Sequence, residues 1–265
     1  GRVASSLFFH HAALEYFERS ARVAEEQGQY DGVVRARFYL GNLYSDDEDW
    51  DQARRFYESA RKVIEGRGSP SLQVSILTNL GRVSRLAGDL SYAEECYCRI
   101  ISLLDSGDRA GLAQAHYSLA EIHQTKGDLD HAEECYEKSL ILREKVGDRV
   151  GMAAALSSLA RVYQLTGETG RVESSLSKAR HHLEDAGDDA GAAKMSLLLA
   201  DFFFTEGRPR DAAYHYDLGL ASLKDNDAAL EARALGRLGQ CLMDLEDCKA
   251  MSYLEKALAL TRDLG

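Results

Sequence analysis

Five cysteines, eight histidines and several adjacent carboxylates are the side chains here whose types could do chemistry. Cys96 and Cys135 lie in a repeated phrase, AEECY, at 93–97 and 132–136. Two thiols in one recurring slot suggest a metal or redox pair. The same repetition is also what a copied small residue produces, and that second reading needs no further ligand. Cys96 and Cys98 are two apart on an expected helix and point in divergent directions. Cys241 and Cys248 fall on different expected elements. An odd cysteine count in a chain of 265 residues argues against a disulfide framework and for a reducing, cytoplasmic setting. His116 and His123 share a helix face but stand about 10 Å apart along its axis, too far for two ligands of one metal ion. His10 and His11, like His181 and His182, are neighbours that face different ways. The pairs Glu94-Glu95 and Glu133-Glu134 come early in expected helices, where they are expected to complement the helix dipole and stay solvated. Neither a Gly-Lys-Ser/Thr nucleotide loop nor a His-Glu-x-x-His zinc helix is present. These patterns predict no enzyme, no metal and no cofactor.

The elements that would position any site are set by a repeat. Leu40-Gly41, Leu80-Gly81, Leu119-Ala120, Leu159-Ala160, Leu199-Ala200 and Leu238-Gly239 recur every 39 or 40 residues. Ala53, Ala93, Ala132, Val172 and Ala212 follow in step, and so do Tyr57, Tyr97, Tyr136, Leu176 and Tyr216. Each period reads as two helices. The first stops at a turn such as Gly88-Asp89 or Gly127-Asp128, where glycine suits a helix carboxyl end. The second ends near Gly107, Gly147 or Gly187, and Asp108, Asp148 and Asp188 follow as N-caps. The small residues let paired helices approach closely, and the aromatic fills space between repeats. One such pair cannot bury its apolar face alone, so stacking makes the core. The periods run over 30–68, 69–107, 108–147, 148–187, 188–226 and 227–265, after a partial repeat at 1–29. The fourth, with Val172 and Leu176 for Ala and Tyr, is expected to pack differently. The last has a turn one residue short, at Leu245 to Lys249.

The segments LGNLYSDDEDWDQARRFYESA (40–60), LAEIHQTKGDLDHAEECYEKSL (119–140) and LARVYQLTGETGRVESSLSKA (159–179) resemble the tetratricopeptide repeat over nearly the whole chain. The period exceeds the usual 34 residues by about six. Links such as GDRAGLAQA (107–115) and GDRVGMAAA (147–155) are similar to the long-repeat subclass of LGN/Pins adaptors, kinesin light chain, rapsyn and bacterial Rap-type regulators. The resemblance implies an all-α, right-handed solenoid whose first helices line a concave groove for extended or helical peptides.

Carried onto this chain, that groove would use Arg35, Tyr39, Asn42, Asn79, Arg82, Arg85, Glu121, Gln124, Arg161, Gln164, Lys194, Leu198, Asp201, Phe204, Arg233, Arg237, Gln240 and Met243. Seven of these are basic and two acidic, against a formal net charge of -11 for the chain. Arginine forks suit carboxylates, so an acidic segment of a partner protein is one reading. Internal pairing of Arg82, Arg161 and Glu121 across adjacent repeats is the other. Leu197, Leu198, Phe204 and Met243 suggest an apolar pocket for a hydrophobic anchor, although Phe203 is expected to pack between helices. Asn42 and Asn79 match the amides of the family's carboxylate clamp. Phe38, Gln114 and Ser118 stand where that clamp has its cations, which argues against recognition of a terminal carboxylate.

The acidic balance makes the whole molecule a poor nucleic-acid binder, and no apolar run approaches the roughly 20 residues of a membrane span. Projecting the period backwards puts Gly1 at a close-packing position, and Thr261 to Gly265 stop where another repeat would begin. A fragment of a longer protein is the expectation. The function expected is a protein-binding scaffold. Its rivals are a peptide-sensing module that controls an adjoining NTPase or DNA-binding domain, and a self-association module.

Overall fold

A computed structural model describes residues 2–65, 69–223 and 228–264, with side chains from residue 10 to residue 262 within those spans. Gly1 and Gly265, and the repeat borders at 68, 226 and 227, lie outside the described residues. The described residues form thirteen helices and no strand. The fold is an all-α repeat solenoid. The chain divides into two compact units, residues 1–135 and 136–265.

The first unit contains α1 (Arg2–Glu26), α2 (Tyr30–Asp46), α3 (Trp50–Ile64), α4 (Pro70–Leu86), α5 (Leu90–Leu103), α6 (Arg109–Lys126) and the start of α7 (Leu129–Val146). Consecutive helices from α1 to α6 pack on one another. The second unit continues α7 and adds α8 (Arg149–Thr166), α9 (Thr169–Asp185), α10 (Asp189–Thr205), α11 (Pro209–Ser222), α12 (Ala228–Asp244) and α13 (Ala250–Leu264). Here α8 to α13 pack in chain order, and α10 also touches α12.

Aspartates cap several of these helices. Asp49, Asp89 and Asp108 accept the amides of Gln52, Tyr92 and Gly111 at 3.1, 3.1 and 2.9 Å. Asp148 and Asp188 accept those of Gly151 and Gly191, both at 2.9 Å. Each such cap stabilises its helix by about 1 kcal/mol. Pro70 and Pro209, the chain's two prolines, sit in the first turns of α4 and α11, where the missing N–H costs nothing. Between the helices of a pair the chain needs one left-handed residue. Gly127 supplies it with φ 80°, and Glu48 and Glu246 take the same slot with φ 59° and 56°. At the short last turn, Cys248 and Lys249 form a second turn before α13 begins at Ala250.

Packing depends on the small-residue slot of the first helix. A Cβ on Gly41 would lie 2.6 Å from the Tyr57 ring, and one on Gly81 would lie 2.7 Å from that of Tyr97. The aromatic therefore lies flat on its own repeat's first helix and is wholly buried there. In the last pair Leu254 takes this place against Gly239. Exposed ion pairs link successive repeats in each unit: Arg54 with Asp89 at 2.9 Å and Lys126 with Glu94, then Arg171 with Glu137 at 3.4 Å and Arg208 with Glu173 at 3.1 Å. At the surface each is worth about 0–1 kcal/mol.

Candidate partner-binding surface

In the first unit, the side chains expected to face a ligand lie on α2, α4 and α6, and none of them is buried. Tyr39 is exposed and stacks on Phe17 of α1, ring centroids 5.0 Å apart. Several of the others already have partners within the protein. Asn42 Oδ1 accepts the Tyr57 hydroxyl at 2.6 Å. Arg82 crosses to the preceding repeat and donates to Ser45 Oγ at 2.9 Å, beside the same phenol. Burial pushes the Tyr57 pKa to about 12 although Arg82 opposes it, so the phenol stays a donor at neutral pH. Asn79 turns its Nδ2 to the carbonyl of Ser75, one turn back, at 3.1 Å. The Tyr97 hydroxyl meets Ser118 of the following repeat, with Arg85 and Glu121 near it. Gln124 is half-buried on the same helix. Arg35 is exposed and Arg85 half-buried, and neither has an ion pair among the described residues.

The second unit repeats this arrangement with charge added. The Tyr216 hydroxyl donates to Asp201 Oδ1 at 2.5 Å, and Arg237 of the next repeat reaches the same oxygen at 2.6 Å. Arg233 stands 4.0 Å from Asp201 Oδ2. Burial first, and Asp201 second, raise the Tyr216 pKa, so this phenol also remains protonated. The Arg237 guanidinium lies 5.6 Å from the Phe204 ring centroid. Of the seven expected cations, Arg82 is thus bonded across repeats, while Arg233 and Arg237 cluster at Asp201. Arg161 and Lys194 are exposed and have no ion pair among the described residues. Gln164 and Gln240 are exposed as well.

The apolar pocket expected from Leu197, Leu198, Phe204 and Met243 takes another form. Leu197 is buried against Gly219, where a Cβ would lie 2.6 Å from it. Leu198 is 41% exposed and Met243 55%. Phe203 is buried and stacks on His215, centroids 5.3 Å apart, while Phe204 is half-buried. Two depressions open instead. A cleft of about 300 Å³ is lined by Ala160, Arg161 and Gln164 of α8, Val172 and Leu176 of α9, Leu198, Asp201, Phe202 and Thr205 of α10, and Arg237 of α12. A second of about 250 Å³ runs between Lys194, Met195, Leu197, Leu198, Asp201, Leu230 and Arg233, so two of the four expected apolar residues, Leu197 and Leu198, line it. Sequence reasoning marked the fourth repeat as irregular but did not see this cleft; its signal was the Leu176 substitution.

None of the five cysteines is in a disulfide. Cys96, Cys135 and Cys241 are buried, while Cys98 and Cys248 are exposed. Burial pushes the Cys96 thiol to about 12 and that of Cys241 to about 11, which leaves them protonated and poorly nucleophilic. Among the described residues no group of three or more His, Cys, Asp or Glu could hold a metal ion. No described helix is long and apolar enough to cross a membrane.

A sequence profile described as tetratricopeptide repeat matches residues 1–66 and 111–186, more than half of the chain. Comparison with curated proteins gives no match. Among solved structures, BtubC (BKLC) from P. vanneervenii is 20% identical, with 81% of this chain and 90% of that one covered and a TM-score of 0.69. The apo form of RapI is 12% identical over 96% of this chain and 77% of its own, with a TM-score of 0.76. A signal-transduction ATPase with numerous domains and a tetratricopeptide repeat sensor, from Pyrococcus horikoshii, is 12% identical over 94% of this chain and 41% of its own, TM-score 0.75. At these identities the likeness is one of fold.

Proposed function

Because the chain belongs to the tetratricopeptide-repeat family, we propose that it is a non-catalytic module whose first-helix faces hold an acidic, extended or helical segment of a partner protein. The observation that carries this reading is a set of four cations on those faces, Arg35 and Arg85 in one unit and Arg161 and Lys194 in the other. They have no ion pair among the described residues of a chain with net charge -11. A partner carboxylate gains a charge-assisted bond from each, and complementary fields speed its approach.

The test is capture of a partner from lysate of the source cells. Wild type is compared with Arg35→Glu/Arg85→Glu and with Arg161→Glu/Lys194→Glu, all matched for helicity. Loss of the partner in either variant, and weakening by salt, is the expected result. Equal capture by all three overturns the reading.

A further inference from the structure

Four second helices carry a tyrosine in one slot, Tyr57, Tyr97, Tyr136 and Tyr216, and the fourth repeat has Leu176 there. In two of these repeats the hydroxyl reaches a residue of the ligand face: Tyr57 to Asn42 at 2.6 Å, and Tyr216 to Asp201 at 2.5 Å. Leucine stops short of both positions. The neighbours do not close the space. A cleft of about 300 Å³ remains over Val172 and Leu176, with Ala160 and Phe202 beside them and Arg161, Leu198 and Asp201 among its other lining residues.

We propose that this cleft takes one aromatic side chain, a phenol before all others, from a linear partner segment in which an acidic residue stands next to it. The inference rests on the reading of the first-helix face given above and adds the residue type that this face selects.

Shape supports it first. Tyr57 and Tyr216 show what the equivalent slot accepts in sister repeats with the same helix pairing. Size supports it next, because about 300 Å³ is the lower end of ligand-pocket volumes. That suits a side chain better than a cofactor. Polarity supports it third. The floor is apolar, as a ring requires, and Arg161 holds the first-helix position that Asn42 and Asp201 hold beside the sister hydroxyls, so its guanidinium can donate to a phenol oxygen. Arg161 has no ion pair among the described residues, so its fork is available to the adjacent carboxylate.

The experiment uses the whole chain and two blocked, fluorescently tagged pentapeptides, one with tyrosine between pairs of glutamates and one with alanine in its place. Affinity is read by fluorescence anisotropy. The tyrosine peptide is expected to bind at least about tenfold more tightly, a typical gain for one seated aromatic side chain. Leu176→Tyr, which supplies the missing ring from within, should reduce that peptide to the level of the alanine one. Equal affinity of both peptides for wild type, including no binding of either, overturns the proposal. So does a Leu176→Tyr protein that keeps the preference. Should that variant melt early, Leu198→Trp, at an exposed lining position, obstructs the cleft and is judged by the same two outcomes. Partner capture that survives Leu176→Tyr and is lost on charge reversal would sink the aromatic inference alone. Capture that survives charge reversal sinks the reading beneath it.

Discussion

Removing one hydroxyl at Tyr57 or at Tyr216 should cost different amounts, because the two phenols serve acceptors of different charge. Tyr57 donates to a neutral amide, Asn42, and Tyr216 to a carboxylate, Asp201. A net neutral hydrogen bond contributes about 0.5–1.5 kcal/mol, and one to a charged group about 1.5–3 kcal/mol. The Asp201 side chain is 25% exposed, which moves its bond to the lower end of that range. Arg237 remains on the same oxygen in the variant, so the carboxylate is not stranded. Tyr216→Phe should therefore lose about 1.5 kcal/mol and Tyr57→Phe about 0.5–1 kcal/mol. The assay is urea unfolding followed by circular dichroism at neutral pH. Amide exchange in α3 and α11 should accompany it, because a repeat array can open locally. Equal losses, or a larger one at Tyr57, would refute the view that these phenols are graded by the charge they meet.

Other perturbations test the turns and helix starts. Glu48 occupies a left-handed slot at φ 59°, so Glu48→Gly should raise stability by about 1 kcal/mol in the same unfolding assay. A Cβ at Gly151 would land on the Arg143 guanidinium and the Asp148 carboxylate, whereas one at Gly170 meets open space. Gly151→Ala should thus lose about 1–2 kcal/mol and Gly170→Ala gain about 0.5–1 kcal/mol. Thermal melts of the two read opposite signs if the cap pair matters, and like signs if helix propensity alone decides. His215 lies against Phe203, and burial first, then Arg180, hold its pKa below the ordinary value; Arg208 acts the same way, while Asp211 and Glu173 oppose. As pH falls through the unfolded value near 6.5, the unfolded chain takes a proton that the folded one resists. Stability then declines until the folded pKa is reached. The urea midpoint should fall more steeply in wild type than in His215→Phe between about pH 7.5 and 5.5; parallel profiles would contradict this.

Much of the architecture was legible in spacing. Small residue, alanine and aromatic recur in register, and helical geometry turns that register into paired helices with glycine and aspartate at the turns. Glu48 and Glu246 were not legible as left-handed residues from their type, yet each falls on the period that places Gly88, Gly127, Gly167 and Gly207. Side-chain partners were less readable. Arg82 bonds Ser45, 37 positions away, and Arg237 bonds Asp201, 36 positions away. A helix periodicity assigns a face but not which of two neighbours a long, flexible guanidinium chooses. The basic excess read along the first helices is accordingly smaller in the structure, where Asp201 gathers two of the seven cations. Leu197 shows the same limit, since adjacent leucines fall on either side of the line between core and surface and only packing against Gly219 decides. At Leu176 the departure was visible in the sequence, while the cleft depends on whether neighbours collapse into the space, which no spacing encodes.

Whether the first-helix faces meet the partner is read by site-specific photo-crosslinking. A photoreactive residue is placed in turn at Tyr39 and Leu198, exposed on first helices, and at Ile141 and Tyr214, exposed on second helices. The protein is irradiated with partner bound, and the adduct is followed by mass. Adducts from Tyr39 or Leu198, with none from Ile141 or Tyr214, are the predicted result. Adducts from the second-helix positions alone would contradict the account.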